Sequence, residues 1–226
     1  MAYYGIPTKA IHEQWLGLVQ PVGLVVAPAV LAKLELVPNQ STKRLSAMQL
    51  QLMGLLDDVE WLEGDPVKVV PSFRQLATEL LDWRDADLLN AEGLVEASAL
   101  ETGPEVVLSE YGETLRPTHG VPKEAGVGLQ ALVLDLTQWR DAHGELNPQW
   151  DRDFDKPWNP TASGWDATPQ QRFERLLKET EHPIGLLFNG SELRLVHAPR
   201  GESSGHITMP LEPMAACLLY TSPSPR

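Results

Sequence analysis

Gly201-Glu202-Ser203-Ser204-Gly205 fits G-x-S-x-G, the turn that lifts a nucleophilic serine off the end of a strand. That chemistry needs a helix directly after the turn and acid and histidine partners downstream. The next residues are His206-Ile207-Thr208-Met209-Pro210, extended or looped in character, so the segment reads as a polar turn. Asp151, Asp153 and Asp155 have the alternate spacing that begins a calcium loop, but Lys156 stands where the loop requires glycine and Ala162 where it requires glutamate. The six histidines, at 12, 119, 143, 182, 197 and 206, lack the H-x-x-x-H spacing of a helical zinc site, and the single cysteine, Cys217, completes none. Trp150, Trp158 and Trp165 are interleaved with acidic residues and read as packing for a loop rather than as base-stacking platforms. For contact with nucleic acid there remain Arg194, Arg200, Ser203, Ser204 and His206, a hairpin end followed by a Gly/Ser loop whose amides could meet phosphate. A solvated turn accounts for the same residues.

The elements that must position these residues differ along the chain. In the first third, Thr8 can cap a helix through about Val19, Pro28 can open a second, and Leu45, Met48, Leu52, Leu55 and Leu56 form one apolar stripe. A third helix is expected from Ser72, with Ser72 and Gln75 as a capping box and Phe73, Leu76, Leu80 and Leu81 on one face. After Gly103-Pro104 the pattern changes to strands over Glu105–Leu108, Thr114–Val121 and Leu129–Leu136, the last apolar enough for a strand buried on both faces. Residues 141–167 read as a long loop. Thr168-Pro169-Gln170-Gln171 then opens a helix with Phe173, Leu176 and Leu177 inward, and Ile184–Phe188 and Glu192–His197 flank Asn189-Gly190, which predicts a type I′ hairpin.

Of the 226 residues, 42% are hydrophobic, enough for a sizeable core; 18 are Lys or Arg against 31 Asp or Glu, a net charge of −13. An acidic chain does not make a self-sufficient nucleic-acid clamp. The acidity is concentrated in the middle, where residues 57–113 carry fifteen acidic and three basic groups. The longest uncharged apolar run, Val22–Ala32, has 11 residues and contains Pro28, well below a membrane span, and Met1–Trp15 is no signal peptide. A cytoplasmic protein without an internal disulfide is expected. The last ten residues, CLLYTSPSPR, resemble the translation of the transposon-end adapter used in sequencing libraries, so 217–226 is read as an adapter-derived tail. Without it 216 residues remain, with 17 basic and 31 acidic groups and a net charge of −14, and they are expected to continue in the natural protein.

The element order, with Arg116-Pro117-Thr118, Leu132–Thr137 and Leu186–Val196, resembles the PD-(D/E)xK nuclease fold. Residues Trp165–His206 look like the N-terminal region of large restriction-modification DNA adenine methyltransferases, among them type IIG enzymes and the methylases of DISARM-like and BREX-like phage defence. The resemblance extends over Tyr111–His206. It implies an α/β chain with a helical region over 1–71 and a degenerate restriction-endonuclease-like domain over 72–216, built as helix, three strands, helix and hairpin. At the positions of the nuclease pattern, Thr118 stands for the aspartate of Pro-Asp and Asp135-Leu136-Thr137 for (D/E)-x-K, with Glu79 of the preceding helix as the one further carboxylate. One ligand and the ammonium that stabilises the attacking hydroxide are thus missing, and no metal site is expected.

Methyl transfer needs a Gly-rich S-adenosylmethionine loop and an (N/D)-P-P-(Y/F/W) motif. Trp158-Asn159-Pro160-Thr161 has only Asn-Pro, so S-adenosylmethionine is expected for the full-length parent and no cofactor for these residues. The resemblance implies a non-catalytic part of a phage-defence methyltransferase that positions DNA or a partner subunit of a defence complex, away from any membrane. Two rivals stay open: a live metal-dependent nuclease, and a protein-interaction module.

Overall fold

In the computed structural model the described residues are 20–23, 42–59, 66–98, 103–124, 128–140, 145–148, 152–159 and 165–216. The fold is organised by its most apolar strand. Leu129–Asp135 is buried at every position but Gln130, so both of its faces must be covered. With the strands numbered in chain order, it is β7 of β1 (Gln20–Val22), β2 (Asp57–Val59), β3 (Val67–Val69), β4 (Val106–Leu108), β5 (Glu113–Leu115), β6 (His119–Pro122), β7, β8 (Ile184–Phe188), β9 (Glu192–His197) and β10 (Gly205–Pro210). The helices are α1 (Thr42–Leu55), α2 (Phe73–Glu79), α3 (Ala91–Ser98), α4 (Pro169–Glu179) and α5 (Leu211–Ala216).

Six strands form one mixed sheet in the order β1-β10-β9-β8-β7-β6. Only β7 and β8 run parallel, with Leu132 beside Gly185, and α4 lies in the crossover that a parallel pair requires. Side chains alternate across β7: Leu132 and Leu134 join Phe173, Leu176, Leu177 and Val196 on one face, while Val133 joins Leu52, Leu55, Phe73, Phe188 and Met214 on the other. The architecture is therefore α/β, with α4 and the loop residues Phe154, Trp158 and Trp165 over one face and α1, α2 and α5 over the other.

Local signals act as expected at several elements. Thr168 and Gln171 form the reciprocal capping box with Pro169 at the first helical position, and Ser72 Oγ accepts the Gln75 N–H. On α1, Leu52 and Leu55 are buried. Gly185 is the point of closest approach of α4, since a Cβ there would stand 2.5 Å from Phe173 Cζ.

Other expectations change. The single strand over Thr114–Val121 is broken at Arg116-Pro117-Thr118: among the described residues β5 pairs with β4 in a separate hairpin, while β6 pairs with β7 in the main sheet and bridges Leu89 through Gly120. Proline cannot donate to a ladder, which explains the break. The hairpin at Asn189-Gly190 forms, but Gly190 alone has positive φ, at 93°, so the turn is not type I′. Asn189 Oδ1 instead accepts the N–H groups of Ser191 and Glu192, an Asx turn, with Phe188 opposite Leu193.

Residues 1–71, read as helical, contribute β1, β2 and β3 as well as α1; β1 extends the sheet beside β10, and α1 shares its core with residues from the 72–216 stretch. The helices expected after Thr8 and Pro28 lie outside the described residues, as does the 217–226 tail. No helix among the described residues is long and apolar enough to cross a membrane.

Candidate functional site

The sheet brings Thr118, Asp135 and Thr137 together. Asp135 ends β7 and caps a 3-10 turn, Leu136–Gln138; its Oδ1 accepts the N–H of Thr137 at 2.9 Å and its hydroxyl at 2.6 Å. Oδ2 accepts the Phe73 N–H at 2.8 Å, at the N-terminus of α2. Behind it, Thr118 Oγ accepts the Asp135 N–H at 2.8 Å and donates to the Val133 carbonyl at 3.0 Å. Asp135 is 0% exposed, and burial pushes its carboxyl up to about 6 against the three hydrogen bonds that favour the charged form.

Each oxygen of this carboxylate is engaged by a protein donor, and Thr137, in the lysine position, supplies two of those donors. Glu79 does not join the group. It is exposed at the far end of α2, six residues or roughly 9 Å of helix rise beyond Phe73, so its expected role as the further carboxylate is corrected. Among the described residues no group of three or more His, Cys, Asp or Glu side chains could hold a metal ion. What the arrangement does chemically is fasten α2 to the end of β7.

The expected phosphate-facing group is also divided. Arg194 is 4% exposed, on the face of β9 covered by the loop, and its guanidinium is spent internally. Nε donates to Thr208 Oγ1 at 2.7 Å, Nη1 and Nη2 donate to the two oxygens of Asp155 at 2.8 Å each, and the group stacks over Phe154 at 4.8 Å. Arg194 is therefore a strut that holds the loop on the sheet, which corrects its assignment as a phosphate contact. The same bond explains the Asp-x-Asp pattern, since Asp155 is the partner of Arg194 and Asp153 Oδ1 accepts the Asp155 N–H; Asp151 lies outside the described residues.

Arg200 is exposed but paired with Glu181 at 2.7 Å. Ser203 is exposed and Ser204 partly buried, in the polar turn between β9 and β10, and the β10 strand after it, in place of a helix, removes the nucleophile-elbow geometry. His206 is half-buried, and burial together with Arg194 lowers its pKa, which disfavours the cation that phosphate would need. Of the five, only Arg200 and Ser203 present exposed side chains.

Sequence reasoning missed Arg172. It lies on the buried face of α4 beside Phe173 and Leu176, 5% exposed, and donates to Glu113 of β5 and to the carbonyls of Trp158, Trp165 and Ala167. Its guanidinium stacks on Trp165 at 4.8 Å, and Trp165 in turn stacks on Tyr111. The available signal was an arginine at a core position of an otherwise amphipathic helix. Next to this ion pair is a cavity of about 150 Å³ between β5, α4 and the pair Trp139 and Trp158, whose rings meet edge to face at 4.8 Å. Trp158 and Trp165 thus pack the loop, as expected; Trp150 lies outside the described residues. No family model, curated protein or solved structure matches this chain.

Proposed function

We propose that the chain is a non-catalytic α/β part of a restriction-modification or phage-defence DNA adenine methyltransferase, a degenerate nuclease-like module that positions DNA or a partner subunit. The observation that carries the reading is the state of Asp135. It sits where the nuclease pattern has its central metal carboxylate, at the end of a central strand next to a parallel crossover, yet both of its oxygens are held by Thr137 and the Phe73 amide. A carboxylate that is wholly buried and already holds three protein donors is poorly placed to ligate a hydrated divalent cation, and no ammonium stands two residues on. The internal use of Arg194 and the net negative charge favour contact with a partner subunit over an unaided grip on DNA.

The S-adenosylmethionine chemistry of such a parent belongs to residues outside this chain, and cytoplasmic work on DNA is part of the same proposal. The test has two arms. Incubated with supercoiled plasmid and Mg²⁺ or Mn²⁺, the chain leaves the DNA intact; nicking that disappears in Asp135→Ala would establish the rival nuclease. Expressed together with its natural downstream reading frame, it co-purifies with transfer of labelled methyl groups from S-adenosylmethionine to adenine, and absence of transfer would refute the parentage.

A further inference from the structure

The outward face of α1 differs in composition from a solvated helix face. From Leu45 through Leu56 the sequence carries no charged residue. Leu52 and Leu55 account for the inward side of that run, where they are buried in the core. On the outward side Ala47, Leu50, Gln51, Met53 and Gly54 are exposed, Leu50 by 68% and Met53 by 39%. A helix on a protein surface ordinarily turns charged and polar residues to water. Here small and apolar residues take most of those places, and a Cβ built on Gly54 would meet no atom of the described residues within 4 Å. Charges return at the two ends: Arg44, 60% exposed, in the first turn, and Asp57 and Asp58, both exposed, directly beyond the last.

We propose that this face pairs two copies of the chain, α1 against α1 in antiparallel orientation about a two-fold axis beside Leu50 and Gln51. The charge pattern is the argument for a second copy. A surface that is basic at one end, uncharged in the middle and acidic at the other complements itself when one copy is turned end for end, as an isologous contact requires. Leu50 then lies against Leu50 and Gln51 of the second copy, Ala47 against its Gly54, and Arg44 beside its Asp57. Small residues at 47 and 54 let the two helix axes approach to about 8 Å, the near end of the helix-packing range. Arg44 also reaches Asp82 at 3.4 Å, an exposed contact that uses only part of what a guanidinium can donate. Parallel pairing would set Arg44 against Arg44 and Asp57 against Asp57, and repulsion disfavours it. The 14 residues of α1 give a contact only about 21 Å long, so the dimer belongs to the small, transient class of interfaces. The inference rests on α1 and its two ends and is independent of the methyltransferase reading.

The test is sedimentation equilibrium of the whole chain from about 10 µM to about 1 mM, at low ionic strength so that exposed charges act over about 10 Å or more. The apparent mass should rise from the 25.0 kDa of one chain toward twice that value, with a dissociation constant on the order of 0.1 mM. Leu50→Glu sets two carboxylates together at the axis and should weaken association about tenfold or more. Arg44→Glu and Asp57→Lys, both at exposed positions, each place like charges at both ends of the contact and should weaken it about threefold or more. An equimolar mixture of these two variants should associate as the wild type does, because the exchanged charges oppose each other at one end and the native charges at the other. Thermal transitions of every variant are compared with wild type at about 10 µM, where the monomer dominates. A mass of 25.0 kDa at every concentration, association unchanged by Leu50→Glu, or a mixture that associates no better than its components overturns the proposal. So does a Leu50→Glu monomer whose unfolding midpoint falls by more than about 5 °C, since that result places the face under another part of the same chain.

Discussion

Replacing Asp135 by asparagine isolates the cost of burying a charge at the end of β7. In the folded chain the carboxyl titrates near 6, against 3.8 for an ordinary aspartate, because it is removed from water more than its three hydrogen bonds compensate. Between these values the native state binds a proton that the unfolded chain has already released, so stability falls as pH rises through that window. At about 1.4 kcal/mol per pKa unit the total is about 3 kcal/mol, fully present as a penalty above pH 6 and absent below about pH 4. Asp135→Asn keeps the shape and an acceptor for Thr137 but cannot ionise, and it turns a donor toward the Phe73 amide. The stability difference between wild type and variant should therefore shift by about 3 kcal/mol in favour of wild type as the pH is lowered from 7 to 4. Urea midpoints at half-unit pH steps, read by tryptophan fluorescence and far-ultraviolet circular dichroism, give the difference directly. A difference constant to within about 0.5 kcal/mol across that range would refute the reasoning, because it would place the carboxyl in contact with water or make its hydrogen bonds equal to the desolvation.

Arg194→Ala should cost about 2–4 kcal/mol in urea denaturation, because Thr208 and Gln170 lose a buried partner and the loop loses its bidentate anchor, whereas Arg200→Ala, at an exposed pair, should stay within about 0.5 kcal/mol. Equal effects would remove the distinction drawn between strut and surface. Glu113→Gln should cost about 3 kcal/mol or more, by leaving the Arg172 guanidinium buried without its counter-charge, and a thermal transition unchanged from wild type would show that the pair is solvated. Gly185→Ala should lower the denaturation midpoint by the equivalent of about 1–3 kcal/mol, since the new methyl group meets Phe173 at 2.5 Å and Leu177 at 2.9 Å; a neutral result would mean that α4 sits farther from β8.

Elements written in local chemistry are legible in the amino-acid sequence. The Thr168-Pro169-Gln171 start of α4, the Ser72 cap, the apolar run of β7 and the Asn-Gly turn each depend on contacts within a few residues. α3 was missed although Asn90 caps it through the Gly93 N–H and Ala91, Leu94 and Val95 share one face, because eight residues with a glycine among them give a window too short to separate from a loop. The pairing of β1 with β10 joins segments almost two hundred residues apart, and nothing local in Gln20-Pro21-Val22 announces it. The candidate site divided along the same line. The types and order of Thr118, Asp135 and Thr137 were readable, and so was the loss of a metal ligand and a lysine. That Asp135 turns both oxygens to protein donors, that Arg194 points inward to Asp155, and that Glu113, Arg172 and two tryptophans enclose a cavity were decided by tertiary structure alone. The physical reason is that the role of a charged side chain depends on what lies within about 3 Å of it, and those partners come from strands and loops remote in sequence.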